Sequence, residues 1–548
     1  MQSRNPIIGA NSAGYTAELM EFNRFVWNLY RDSQEGRAAI ARDISEFVEQ
    51  DTLSLGAEAF VRQLNYYEML NGEVLEHCAE VNLRQEIKKY AAEQVITSLD
   101  EAEKLFTNIA DEVISFPIDA GDEKGFRADF GGGQDDSECY SDVISNIDAV
   151  SVGLHDAHSE YFTPYLFPRR FDQLQKICHL FDIVIPEIPG KLQQRGRALY
   201  YLGVNRALNN FRKKHELSPQ EFNAFLYDFA PKNIAIKKSG ELPPPSRIWF
   251  VIGGVGNADF DYLDKIDKNF SNYWQGNLET RRGDIILMWC ASPRSYLHSI
   301  WRALDEGFND PYFYFYSMIR VGEPIKITPI AFAEFSKHPL LGAMPAVRAR
   351  FQGTSGKAFS VDGYDAICEL LQQRGFDTSH LPSPPAVEKF SAAGLENERD
   401  VELRLLEPLL RNLGFAETDW IRQFSIRMGR GERNYPDYLL GADPRAGEER
   451  AIAVIECKFD IHTNKDLKEA FIQAQSYALR LQAKALALAA RRGLWIFQGR
   501  SDGFSIDHFT FKTWSELSHP DVLHEVSLVI GKRVIEAAIA QRNRGRVK

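Results

Sequence analysis

Residues 434–458 constrain this chain more than any other stretch: N-Y-P-D-Y-L-L, a polar loop, then A-I-A-V-I-E-C-K. Asp437 follows a proline and opens the apolar run Tyr438-Leu439-Leu440. The loop GADPRAGEER then leads into AIAVIE, alternating and β-branched enough to be a buried strand. Two antiparallel strands joined in this way hold Asp437 and Glu456 near each other. Side chains alternate along a strand, so Lys458 falls on the face of Glu456. Two carboxylates and a main-chain carbonyl, that of Cys457, form an all-oxygen site of the kind that suits Mg²⁺ or Mn²⁺. An ammonium beside such a metal can orient or help deprotonate an attacking water, the layout that phosphodiester hydrolysis requires. A solvated surface hairpin would carry the same three residues, so the flanks decide how the stretch is read.

Upstream, NERDVELRLLEPLLRNLGF reads as an amphipathic helix with Leu403, Leu406, Leu410 and Leu413 on one side, ended by Gly414. Glu398 and Glu402 are four apart and share a face of it. Downstream, LKEAFIQAQSYALRLQA predicts a second helix on which Gln473 and Tyr477 share a face. The order helix, strand, strand, helix, with these polar residues aimed at one edge, resembles the PD-(D/E)XK nuclease superfamily. More narrowly, about residues 395–500 resemble the amino-terminal nuclease of type I restriction enzyme R subunits, which carries the same E…PD…ExK…QxxxY series. The resemblance implies that Asp437 and Glu456 are metal ligands and Lys458 the catalytic lysine. It also implies that Gln473 and Tyr477 support the site near the DNA backbone. Either Glu398 or Glu402 supplies the helix carboxylate.

At 548 residues the chain has room for three or four domains. No run of eighteen apolar residues exists, and MQSRNPIIGANSAGYT lacks a basic region followed by an apolar one, so no membrane span or secretion is expected and the compartment reads as cytoplasmic. The six cysteines, Cys78, Cys139, Cys178, Cys290, Cys368 and Cys457, form no CxxC pair, which excludes a zinc finger and argues against a disulfide framework. The net charge of −12 allows a local basic groove but not a chain coated in nucleic acid.

Taken in order, residues 1–118 read as a helical domain, carried by three-to-four apolar spacing as far as IADEVISF. His77 and Cys78 have no evident partners. Residues 119–160 are Gly- and Asp-rich, a loop or insertion. Residues 161–240 return to helix, with Ser218-Pro219-Gln220-Glu221 as a capping box. The segment RGRALYYLGVNRALNNFRKKH presents Arg195, Arg197, Arg206, Arg212, Lys213 and Lys214, either a phosphate-contacting surface or a solvated face.

Residues 247–377 open on the strand RIWFVIGG. The pattern W…GD-I-I-L-M-W, a strand pair, then QGT and a short terminal helix resembles the EVE domain of the PUA-like superfamily. That resemblance implies a pocket for a modified base flipped out of a nucleic acid, which needs an aromatic wall and a few polar groups. Trp274 and Trp289 are the candidates for the wall, or else ordinary core. Tyr273, Ser292 and the Gln352-Gly353-Thr354 turn lie nearby in the pattern. Residues 378–395 read as a Pro/Ser linker, 396–515 as the nuclease, and 516–548 as a closing helix with a basic end.

The expected fold class is therefore multidomain α+β: a helical amino-terminal region, a small PUA-like mixed β-barrel, and a carboxy-terminal α/β restriction-endonuclease-like domain. The expected function is a Mg²⁺- or Mn²⁺-dependent DNA endonuclease of a prokaryotic restriction or anti-phage type, its target chosen by the modified-base reader. A homo-oligomer, most simply a dimer, is expected, because two centres are needed to cut two strands. No P-loop is present, so such an enzyme cuts without translocating. The competing readings are an RNase or an indiscriminate nuclease activated by a ligand or partner in abortive infection, and a non-catalytic binding protein.

Overall fold

Runs of alternating or 3.6-spaced apolar residues become buried faces in this computed structural model. It describes residues 22–44, 83–118, 126–131, 140–235, 242–254, 259–387, 390, 392–427, 433–445, 448–500 and 503–544. His77, Cys78, Cys139 and the basic residues Arg546 and Lys548 lie outside the described residues. The chain is mixed α/β and divides into two compact units, one within 16–244 and 249–357, the other within 245–248 and 358–548. Among the described residues no helix is long and apolar enough to cross a membrane.

In the first unit the helix Leu99–Asp111 is closed by a Ser98–Glu101 capping box. It stops short of the helical run expected from the sequence: Val113–Ile118 is a strand, paired antiparallel with Phe126–Gly131. The β-branched and aromatic residues of VISFPI suit a pleated surface better than a further helical turn. The 119–160 stretch likewise carries more than loop. Within it α1, Ile147–Ala157, is buried from Ile147 to His155, because AVSVGL is apolar or small all round. Helix α2, Gln194–Lys214, spends most of its cations internally. Arg195 pairs with Asp111 at 2.8 Å, Arg206 Nε donates to Glu103 at 2.9 Å, and Arg212 pairs with Glu160 at 3.1 Å. Arg197 is 2% exposed and donates to the carbonyls of Pro311 and Phe313. Lys213 and Lys214 are exposed. The Ser218–Glu221 capping box forms as written in the sequence.

The sheet of this unit comprises β1 (Ile248–Gly253), β2 (Ser271–Gln275), β3 (Ile285–Cys290), β4 (Tyr296–Ala303) and the long β5 (Ser317–Ala331). Their order is β2-β5-β4-β3-β1. Among the described residues these pairings form an open path rather than a closed ring.

In the second unit, α3 is a continuous helix made of Glu398–Val401, a π turn Glu402–Leu406, and Glu407–Asn412. A six-stranded sheet follows: β6 (Trp420–Arg422), β7 (Tyr438–Leu440), β8 (Ala453–Cys457), β9 (Ala485–Ala490), β10 (Gly493–Gln498) and β11 (Thr510–Thr513), in that order across the sheet. Only β8 and β9 pair in parallel, joined by the crossover helix α4, Asn464–Arg480. The period of two sorts the core. Ala453, Ile455, Cys457, Ala485, Ala487 and Ala489 pack with α3 and with α5 (Pro520–Ile530) and α6 (Lys532–Arg544). Val454, Leu486, Leu488, Trp495 and Phe497 pack with α4 on the other face. The π turn alters α3 itself. Its extra residue shifts the buried stripe to Val401, Leu405, Leu406, Leu409, Leu410 and Leu413, and turns Leu403, expected inside, 42% exposed.

Gly441 ends β7 with φ +60°, and a Cβ there would lie 2.7 Å from Ile452 Cγ1 and 2.8 Å from Ile535 Cγ2. Gly441→Ala combines left-handed strain with overpacking, so a loss of about 2–4 kcal/mol is expected. Denaturant unfolding of the variant beside the parent measures it; a loss below about 0.5 kcal/mol would mean that β7 relaxes freely at its end.

Candidate active site

The register of β7 on β8, Tyr438 opposite Ile455 and Leu440 opposite Ala453, carries Asp437 to Glu456. Their contact is reciprocal. The Asp437 main-chain N–H donates to Glu456 Oε1 at 3.2 Å, and the Cys457 N–H donates to Asp437 Oδ2 at 2.8 Å. Lys458 Nζ lies 3.7 Å from Glu456 Oε2. Glu456 is 1% exposed, the sole charged side chain of a strand buried on both faces, whereas the Lys458 side chain is 27% exposed.

The two candidate carboxylates of α3 part company. Glu398 is half-buried; burial raises its carboxyl, the charge of Lys458 opposes the rise and that of Asp437 adds to it. Glu402 is 6% exposed, and its Oε2 pairs with Arg399, with Arg422 at 2.6 Å and with the Tyr438 hydroxyl at 3.4 Å. Both carboxylates feel the charge of Asp437; that of Lys458 also acts on Glu398, while Arg399 and Arg422 clamp Glu402. Gln473 and Tyr477 share a face of α4, and Gln473 Nε2 donates to Tyr477 Oη at 3.3 Å. Sequence reasoning missed Arg422, Arg399 and Glu407. Arg422 sits in WIRQFSI, where nothing in the pattern marks it, and only the pairing of β6 with β7 brings it to Tyr438.

A divalent cation is tested by the charges here. Burial first, and then the charge of Asp437, push the Glu456 carboxyl upward. Two carboxylates at a dry site with one ammonium need a proton or a cation to balance them. Among the described residues no three His, Cys, Asp or Glu side chains gather as a metal-holding group. Mg²⁺ needs only one or two carboxylates because it keeps several waters. The pair Asp437 and Glu456, with the Cys457 carbonyl, fits that requirement.

The proposed base-reading residues are not brought together. Met288 and Cys290 of β3 share a cluster with Trp249, Trp274 and Trp301, while Trp289, one step along, points to the other face. Trp274 is 7% exposed and its indole N–H donates to the Ile252 carbonyl at 3.1 Å. Trp289 is 4% exposed and packs against Phe250, Phe335 and Phe351. The two tryptophans thus pack in separate groups of side chains. Tyr273 meets Phe308 and accepts a hydrogen bond from Gln173. Thr354 is buried with its hydroxyl on the Phe351 carbonyl, and Ser292 and Gln352 are exposed.

No family model matches this chain, and no curated protein does. Among solved structures, the NMR structure of Rpa0253 from Rhodopseudomonas palustris is similar over 25% of this chain and 99% of that one, at 16% identity and a TM-score of 0.21. A hypothetical protein from Leishmania major covers 24% of this chain and 96% of its own, at 15% identity and 0.20. The X-ray structure of Atu2648 from Agrobacterium tumefaciens covers 25% and 99%, at 12% identity and 0.21. Scores this low carry no argument about fold or activity.

The upward shift of Glu456 has a defined sign. The native state binds its proton more tightly than the unfolded chain does. The stability contributed by neutral Glu456 is therefore full below the ordinary carboxylate range and is lost as pH rises through the elevated native value. In chelator, the parent should lose melting temperature relative to Glu456→Gln between about pH 5 and about pH 9. Parallel profiles for the two proteins would show that Glu456 ionises without cost.

Proposed function

We infer that residues 396–515 form a metal-dependent nuclease whose preferred substrate is DNA, of a restriction or anti-phage type. The observation that carries this reading is the reciprocal hydrogen bonding of Asp437 and Glu456, with Lys458 3.7 Å from Glu456. Held by Asp437, Glu456 and the Cys457 carbonyl, Mg²⁺ or Mn²⁺ would polarise a phosphodiester and lower the pKa of a bound water. The chain's own groups do the rest. Asp437 is fixed by the Cys457 N–H, so its second oxygen has a set direction. Lys458, tethered electrostatically to Glu456 but reaching solvent, can donate a hydrogen bond to a water or to a phosphate oxygen. Gln473, exposed on α4 and tied to Tyr477, presents an amide to a backbone phosphate.

Target choice by the 247–377 region rests on its sequence resemblance alone. Cutting both strands takes two centres, so the reading calls for two copies of the chain on DNA.

The full chain incubated with plasmid, base-modified phage DNA and RNA, with Mg²⁺ or with chelator, tests this directly. DNA should be cut only with metal. Alanine at Asp437, Glu456 or Lys458 should each lower the rate by at least about a hundredfold in protein that still unfolds cooperatively, because such residues act as a unit. Wild-type rates for Glu456→Ala would sink the assignment, and cleavage of RNA alone would move it to the RNase reading.

A further inference from the structure

Behind the two carboxylates lies a second charged cluster that the nuclease reading does not use. Arg422 on β6 donates through one guanidinium nitrogen to Glu402 Oε2 at 2.6 Å and lies through another 3.5 Å from Glu407 Oε1. Its guanidinium carbon sits 5.2 Å from the centre of the Tyr438 ring. Tyr438 in turn donates its hydroxyl to Glu407 Oε1 at 2.8 Å and also reaches Glu402 at 3.4 Å. Arg399, one turn before, closes on the same Glu402 oxygen. These residues come from three elements: β6, the start of β7, and both sides of the π turn in α3. Tyr438 is the immediate neighbour of Asp437 and is fully buried.

We propose that Arg422 is a positioning residue: it ties α3 to the Asp437-bearing end of β7, keeps Glu402 off the metal, and leaves Glu398 as the helix carboxylate of the site. This rests on the nuclease reading and deepens it. A planar fork suits the role, since it can meet two carboxylates and lie against an aromatic ring at once, which an ammonium cannot. Residues that orient metal-binding groups from behind typically change metal affinity or activity by about 10–100-fold when removed.

Mn²⁺ binding by calorimetry, read beside the melting temperature in chelator, tests the assignment without depending on turnover. Glu398→Gln should weaken Mn²⁺ by about tenfold or more, while Glu402→Gln, whose amide oxygen still accepts from Arg422, should stay within about threefold of the parent. Arg422→Gln should weaken Mn²⁺ by about 10–100-fold, with Arg422→Lys between it and the parent. Arg422→Gln leaves Glu402 and Glu407 short of a cation and can unfold the unit, so the double variant Arg422→Gln/Glu402→Gln serves as its partner. It should melt close to the parent and still bind Mn²⁺ weakly. Parent-like Mn²⁺ binding in the double variant overturns the proposal, as does a loss in Glu402→Gln equal to that in Glu398→Gln. A parent chain that binds no divalent metal at all overturns the metal-site reading itself, a different result from either.

Discussion

Two main-chain hydrogen bonds, Asp437 N–H to Glu456 and Cys457 N–H to Asp437, are what the rest of the second unit serves. A carboxylate in a strand as dry as β8 is unfavourable unless something meets it. Here each acid receives an amide proton from the other's strand, so the antiparallel register itself holds the charges. A slip of one residue between β7 and β8 would move Asp437 to the opposite face and break both bonds. Everything packed around the pair makes such a slip costly: α4 on one side, α3, α5 and α6 on the other.

The layering also explains why polar groups collect at one end. Strand β9 reads ALALAA, with Ala485, Ala487 and Ala489 toward α3 and Leu486 and Leu488 toward α4. Small residues on one face let α3 approach the sheet closely enough for Glu402 to meet Tyr438 and Arg422. Leucines on the other face support the amphipathic α4, whose Thr463–Asp466 capping box fixes where the crossover begins. Closeness on one side and bulk on the other both follow from alternation along a single strand.

Much of this was legible in the residues. The proline before Asp437, the short apolar run, the polar loop and the alternation of AIAVIE specify two paired strands and their facing acids. The spacing of Gln473 and Tyr477 needs only a regular helix. What escaped has identifiable causes. Leu403 was assigned inward on a 3.6 period, and the π turn breaks that period. Helical spacing was carried past Asp111 into VISFPI, where pairing with Phe126–Gly131 wins. The arginines of α2 offered phosphate contacts or solvation, and the fold turns four of them on its own acids and carbonyls instead. Nothing in the pattern around Trp274 and Trp289 tells wall from core, and the structure packs them in separate groups. Nothing in the residues around Glu398 and Glu402 shows that Arg422, some twenty positions further on, pairs with Glu402.

The π turn at Glu402–Leu406 has a consequence for how this helix could have arisen or be edited. A π turn behaves as one residue inserted into an α-helix, and it persists where a local gain offsets its cost. Deleting a single residue from 402–406 would leave a regular helix of ordinary sequence, with every position before the cut rotated by about 100° against those after it. The buried leucines from Leu409 onward could stay where they are, and Glu398 would then swing away from Lys458. Chains of this architecture that differ here by one residue should therefore differ at the edge that carries Glu398 while sharing an unchanged core, and a comparison of such chains must place its gap inside the helix rather than in a loop.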